Sequence, residues 1–207
     1  VITTSDPAPK DALPASVEVL AGHDANFVVV GGSVQGSKKA GIGAAADVVA
    51  FTRDVDAGIG AGTVLDADGD VTVDADLNET LWAVAVGVGG SGKVTVNGSG
   101  VVAVISGSTL AAVEDGAQIA ADGKVRVTAA SHADLHTIAG SGGFGGKAGF
   151  GISASVVTHV DSVTARIGDN ARITALGAEG LLVSADSGED LLTIAVGASG
   201  GGKVGAN

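Results

Sequence analysis

The segment GSGKVT at residues 90–95 decides the fold, because it returns three times at a nearly fixed distance. It stands as GSKKAG at residues 36–41, GGKAGF at 145–150 and GGKVGA at 201–206. The lysines within, Lys39, Lys93, Lys147 and Lys203, are separated by 54, 54 and 56 residues. A fixed period marks a repeat architecture, in which each unit buries its apolar face against the next. Working outward, the unit openings match as FVVVGGS from Phe27, LWAVAVG from Leu81, LHTIAGS from Leu135 and LLTIAVG from Leu191. The midsections match too, with Ile59, Val113 and Ile167 in one column and Leu65, Ile119 and Ile173 in another. Unit ends align as GDVTVDADL, GKVRVTAAS and EGLLVSADS, the last after a two-residue insertion. Residues 15–207 therefore read as a single repeat domain. Residues 1–14 hold all three prolines and read as a linker or diverged turn. The last unit breaks off at KVGAN with nothing like a cap, so the full protein is expected to continue beyond Asn207.

Within a unit the apolar period is two, as in LWAVAVG, KVTV and VVAVIS, and Gly, Asp, Asn and Ser clusters interrupt it. These are strand and turn signals, and they divide the unit into about six short strands. After Pro14 there is no proline, which suits continuous hydrogen-bonded strands. The expected fold is all-β: a parallel β-helix, or solenoid, with about two coils of about 27 residues per 54–56-residue repeat. Successive lysines would then lie two rungs apart, ~9–10 Å. A membrane-spanning β-barrel would carry aromatic girdles, whereas this chain has one Trp, four Phe and no Tyr.

The composition fits a narrow interior. Apolar residues make up 45% but aromatics only 2%, so Ala and Val must fill the core. The net charge of −12, from 23 acidic and 11 basic residues, argues against nucleic acid as a partner. Absence of cysteine removes disulfides and thiolate metal sites. No apolar run approaches the length of a transmembrane helix.

Few residues suggest chemistry. Each turn lysine sits among glycine N–H groups, which can make an anion nest; equally, a lysine solvates a turn and blunts edge association. GVGGSGK and GASGGGK meet the spacing of a phosphate loop, but Val follows the lysine where Ser or Thr and a helix are needed. Asp66, Asp68 and Asp70 place carboxylates at alternate positions, the pattern of a calcium loop. Calcium is thus the single cofactor candidate, against a solvated turn. His136 falls in the column of Val28, Trp82 and Leu192, and His159 in that of Phe51 and Ile105, so both read as structural variants of repeat positions. Arg53, Arg126, Arg166 and Arg172 occupy different columns, and no non-repeating cluster of acids and bases is visible. Catalysis is not expected.

The succession IGDNARITA (167–175), LLVSADS (181–187) and LLTIAVGASGGGKVG (191–205) resembles the β-helical repeat regions of very large exported bacterial proteins. Autotransporter passengers, filamentous-haemagglutinin-like adhesins and leukotoxin-type repeat proteins share this pattern. The resemblance covers nearly all of the chain after Ala15 and carries over no catalytic residue. It implies a right-handed β-helix, export from a Gram-negative cell to the outer surface or medium, and service as a rigid stalk or adhesive surface. The partners so implied are a host or neighbouring-cell surface, glycan or protein, and adjoining repeats of the same chain. A toxin repeat region that engages membranes is the alternative, and it would want an exposed apolar face or basic patches. A polysaccharide-active enzyme comes third.

Overall fold

A computed structural model describes residues 2–3 and 15–206, with side chains over residues 15–203. Its twelve strands are β1 (Ile2–Thr3), β2 (Val17–Ser37), β3 (Ala40–Ile59), β4 (Val64–Ala67), β5 (Val71–Ser91), β6 (Val94–Val113), β7 (Gln118–Ala121), β8 (Val125–Gly145), β9 (Ala148–Ile167), β10 (Arg172–Ala175), β11 (Leu181–Gly201) and β12 (Val204–Ala206). They build three four-stranded sheets: a short sheet β1-β4-β7-β10, a first long sheet β2-β5-β8-β11 and a second long sheet β3-β6-β9-β12. Every pairing is parallel, each strand lying on its equivalent in the next unit. The chain is a parallel β-solenoid, as the alternation predicts. Of the expected linker, residues 1 and 4–14 lie outside the described residues, and Ile2–Thr3 pair with β4.

The coil is twice as large as expected. Val17 pairs with Val71 and Val71 with Val125, so one 54-residue unit makes one coil, not two. A coil holds three strands of 21, 20 and 4 residues, not six short ones. Neighbouring lysines are consequently one rung apart, ~4.8 Å. The clusters read as turns lie inside the strands. Asp24 and Asn26 face water from the outer side of β2, while Asn97 and Ser99 of NGSG are buried inside β6.

Real corners are fewer and shorter. One falls at Lys38 and Lys39, one at residues 60–63 and one at 68–70, with equivalents in each later coil. The second corner requires a left-handed residue. Gly62 and Gly116 supply it at φ 66° and 69°, and Asn170 takes the same column at φ 58°. Asparagine is among the few side chains that tolerate this region. The corners stack by backbone hydrogen bonds as the strands do: Lys147 N donates to Lys93 O at 2.8 Å, and Gly116 N to Asp169 O at 2.9 Å.

The two long sheets face each other across a thin interior that the short sheet closes at one end. Beside the short sheet the core is aliphatic, with Val71, Val73, Leu77, Val113, Ile119 and Val125. A second apolar cluster, including Leu81, Ala83, Ile105 and Leu135, continues it toward the lysine corner. Beyond this the sheets converge. A Cβ on Gly87 would lie 2.8 Å from Gly98 O, and one on Gly143 would strike Phe150 O. Inward glycine here answers close backbone approach. The coil is a wedge that thins to an edge of lysines.

Candidate functional site

Two halves of each coil have opposite polarity. The segments nearest the lysine corner are residues 27–52, 81–106, 135–160 and 191–207. They carry five lysines and a single acid, Asp47. That acid is turned inward, where it accepts a hydrogen bond from Gly31 N at 3.1 Å. The other 22 acids and six of the 11 basic residues lie in the rest of the chain. A protein of net charge −12 thus has a positive edge.

The lysine half is also apolar on its outside. Val28, Val30, Val34, Trp82, Val86 and Val88 face outward from the first long sheet. Ile42, Val48, Val94, Val102, Ile152 and Val156 do so from the second. End effects do not account for this, because Val86 and Val88 sit between neighbouring rungs and are still 41% exposed. Inside the same half, between the second apolar cluster and the lysine corner, several inward side chains are polar and bond across the interior. Thr95 Oγ1 donates to Phe144 O at 3.0 Å, Asn97 Nδ2 to Gly142 O at 2.6 Å, and Ser153 Oγ to Ser141 Oγ at 3.0 Å. Trp82, the sole tryptophan, stands where the outer polar and apolar zones meet, its ring stacked on His136 at 4.3 Å.

Lys39, Lys93, Lys147 and Lys203 line the edge, all exposed, with Lys38 beside the first. Their backbones hydrogen-bond from rung to rung, so the charges form a ladder. At a one-rung spacing they lie within a Debye length of each other, and their repulsion favours an anionic partner. The candidate functional surface is this edge with the apolar face on either side.

At the junction of the halves the interior holds an ion cluster. Arg53 Nη2 lies 2.5 Å from Glu79 Oε2, the two side chains being 6% and 0% exposed. Arg53 also donates to His159 Nε2 at 3.3 Å, and His159 Nδ1 meets Glu189 Oε1 at 3.2 Å. Ser131 Oγ donates to Asp161 beside them. Burial raises the Glu79 carboxyl above its usual range; Arg53 and then His159 oppose the shift, and Asp161 adds to it. The expectation that no non-repeating cluster exists is corrected here. Gly107 of β6 separates Arg53 from Asp161 in their column, and a Cβ there would lie 2.9 Å from Arg53 Cγ. His159 does stand in the column of Phe51 and Ile105, but its ring joins the cluster. These contacts tie four rungs together.

Outside, on the first long sheet, His132, Asp134 and Asp190 offer three ligand atoms within 4.8 Å of one another. A histidine with two carboxylates is a donor set suited to a divalent transition metal. It is the one such group found among the described residues. Asp66, Asp68 and Asp70, the sequence-based calcium candidate, do not form one. Asp66 faces outward from β4 and Asp68 lies in the next corner. Asp70 Oδ1 accepts Lys124 N at 3.0 Å, capping the coil above. The signal for His132, Asp134 and Asp190 was present in the alignment, because the two aspartates close consecutive units. Two coils per unit would have held them apart.

No helix of the described residues is long and apolar enough to cross a membrane. Comparison with protein-family models, with curated proteins and with solved structures finds no match.

Proposed function

We propose that the chain is a structural and adhesive module of a large secreted or surface-exposed bacterial protein, and that it works as a contact surface. The observation behind this is the outward apolar facing of both long sheets beside a ladder of lysines. Contiguous apolar surface of this kind marks a binding face, and here it is rigid, because every strand behind it is laddered to the next coil. The partner is the surface of a host or neighbouring cell, glycan or protein, with anionic groups near the lysine edge.

The test is adhesion of beads coated with the chain to cultured epithelial cells and to bacterial cells. Beads bearing the chain should adhere, and beads bearing Val102→Asp with Val156→Asp should not, although both proteins unfold alike. Equal adhesion by the two, or none by either, removes the proposal. A membrane-engaging repeat is the second reading, favoured by the same apolar faces and basic edge. It expects the chain to float with protein-free vesicles of anionic phospholipid; a contact module for glycan or protein stays at the bottom of the gradient.

A further inference from the structure

We infer that the outer face of the first long sheet is self-complementary and docks a second copy of this chain with the strands antiparallel. The inference rests on the contact-surface reading and names the partner of one of its two faces.

Two gradients run along this face, and both reverse in the same place. The first is size. Next to the polar zone the outward column is Val28, Trp82, His136 and Leu192. Next to the lysine corner it is Gly36, Gly90, Phe144 and Gly200. Phe144 departs from the pattern but lies across the glycines: a Cβ on Gly200 would be 2.9 Å from its ring, and one on Gly142 3.2 Å. An antiparallel partner sets the bulky end of one copy on the flat end of the other, so Trp82 meets Gly90. A parallel partner would set Trp82 on Trp82 and glycine on glycine.

The second gradient is charge. The lysine corner bounds the apolar zone on one side. On the other stands the outward column Asn26, Thr80, Asp134 and Asp190. Reversal about the middle of the zone, near Val86, carries the lysine column of one copy onto this column of the other. With a two-fold axis along the stacking direction, rung faces rung, so Lys147 meets Asp134 and Lys203 meets Asp190. Each contact occurs twice, as an isologous interface demands. The second long sheet does not offer the same match. Its outward residues beyond the apolar zone are mainly hydroxyls, Thr52, Ser106, Ser108 and Ser162; the acid in the Ser108 column, Asp54, stands on the first rung and already accepts a hydrogen bond from Ser108 Oγ at 2.7 Å. The zone from residue 28 to 36 over four rungs covers roughly 600 Å² per copy, or roughly 1,200 Å² in all, the lower limit for a specific interface. The lysine and aspartate columns enlarge it on both sides.

The chain has no cysteine, so one introduced thiol reports on the geometry. In an antiparallel dimer Val86→Cys lies near the axis and should cross-link to itself on mild oxidation, whereas Val30→Cys should not. Sedimentation velocity from 1 to 100 µM should show a monomer–dimer equilibrium. Val88→Asp should shift its midpoint at least tenfold toward monomer, while Val102→Asp on the opposite sheet leaves it in place. Lys147→Glu should weaken association and Asp134→Lys should do so too; the double variant should restore it. Thermal unfolding of each variant at low concentration separates lost docking from lost folding. A wild-type chain that stays monomeric at 100 µM overturns the inference, as does equal cross-linking at both thiol positions. So does a double variant no better than the singles, or flotation of monomer with anionic phosphatidylglycerol vesicles. Bead adhesion to cells is read separately and can survive any of these failures.

Discussion

The half of the coil beside the short sheet and the half beside the lysine corner are made by the same strands, yet they solve opposite problems. Along β5, Val71, Val73, Ala75 and Leu77 point inward and Thr72, Asp74, Asp76 and Asn78 outward. Past Ala85 the same alternation inverts in chemistry: Gly87, Gly89 and Ser91 point inward, and Val86 and Val88 outward. The difference teaches that burial and stability need not coincide with the outer apolar surface. The first half is a water-facing shell around an aliphatic core. The second keeps a smaller apolar cluster at its base and is held toward the lysine edge by backbone ladders and buried polar bonds, with an apolar outside.

The junction is where this contrast breaks most easily. Arg53→Ala should cost about 3–5 kcal/mol by urea unfolding, because it leaves Glu79 charged and unpaired in the interior. The double variant Arg53→Met with Glu79→Leu should return close to the native stability. The same pair sets a pH dependence. The Glu79 pKa is higher folded than unfolded, so its contribution is fully present below its ordinary value of 4.5. It is lost as pH rises through the raised folded value. Melting temperatures measured across this range should show that decline, and Glu79→Gln should flatten it. In the aliphatic half, Leu77→Ala should cost about 2–5 kcal/mol, since Leu77 is fully buried. In the thin half, Gly87→Ala should cost about 1–3 kcal/mol by forcing the sheets apart against Gly98 O. Smallest of all, Val34→Asp should change stability by less than about 0.5 kcal/mol, because Val34 is 91% exposed. A large loss there would erase the distinction between the halves.

The period, the alternation and the absence of proline made the parallel solenoid legible from the residues alone. The size of the coil was not. Glycine and asparagine ordinarily mark turns, and here Gly87, Gly143 and Asn97 lie within strands because the sheets nearly touch. The lysine corner held the missing clue. Residues equidistant from Lys39 face each other: Gly31 and Asp47 stand eight to either side and are hydrogen-bonded, and Phe27 and Phe51 stand twelve to either side with rings 4.6 Å apart. Arg53 lies fourteen beyond, opposite the column of Ala25 and Glu79. Read as a fold-back point rather than as one turn among many, Lys39 would have brought Arg53 to Glu79. The triplet His132, Asp134 and Asp190 needed only the one-rung spacing, since Asp134 pairs directly with Asp190.

A coil of 54 residues has a consequence for reach. Each unit adds a single rung, ~4.8 Å of height, so the chain spends about 11 residues per ångström of length. A coil half that size would extend twice as far for the same synthesis. What the large coil delivers is breadth: a long strand of 21 residues spans ~70 Å from the short sheet to the lysine edge. Lengthening such a protein by further units widens a blade faster than it raises a mast. Its natural measure is the area it presents, not the distance it crosses.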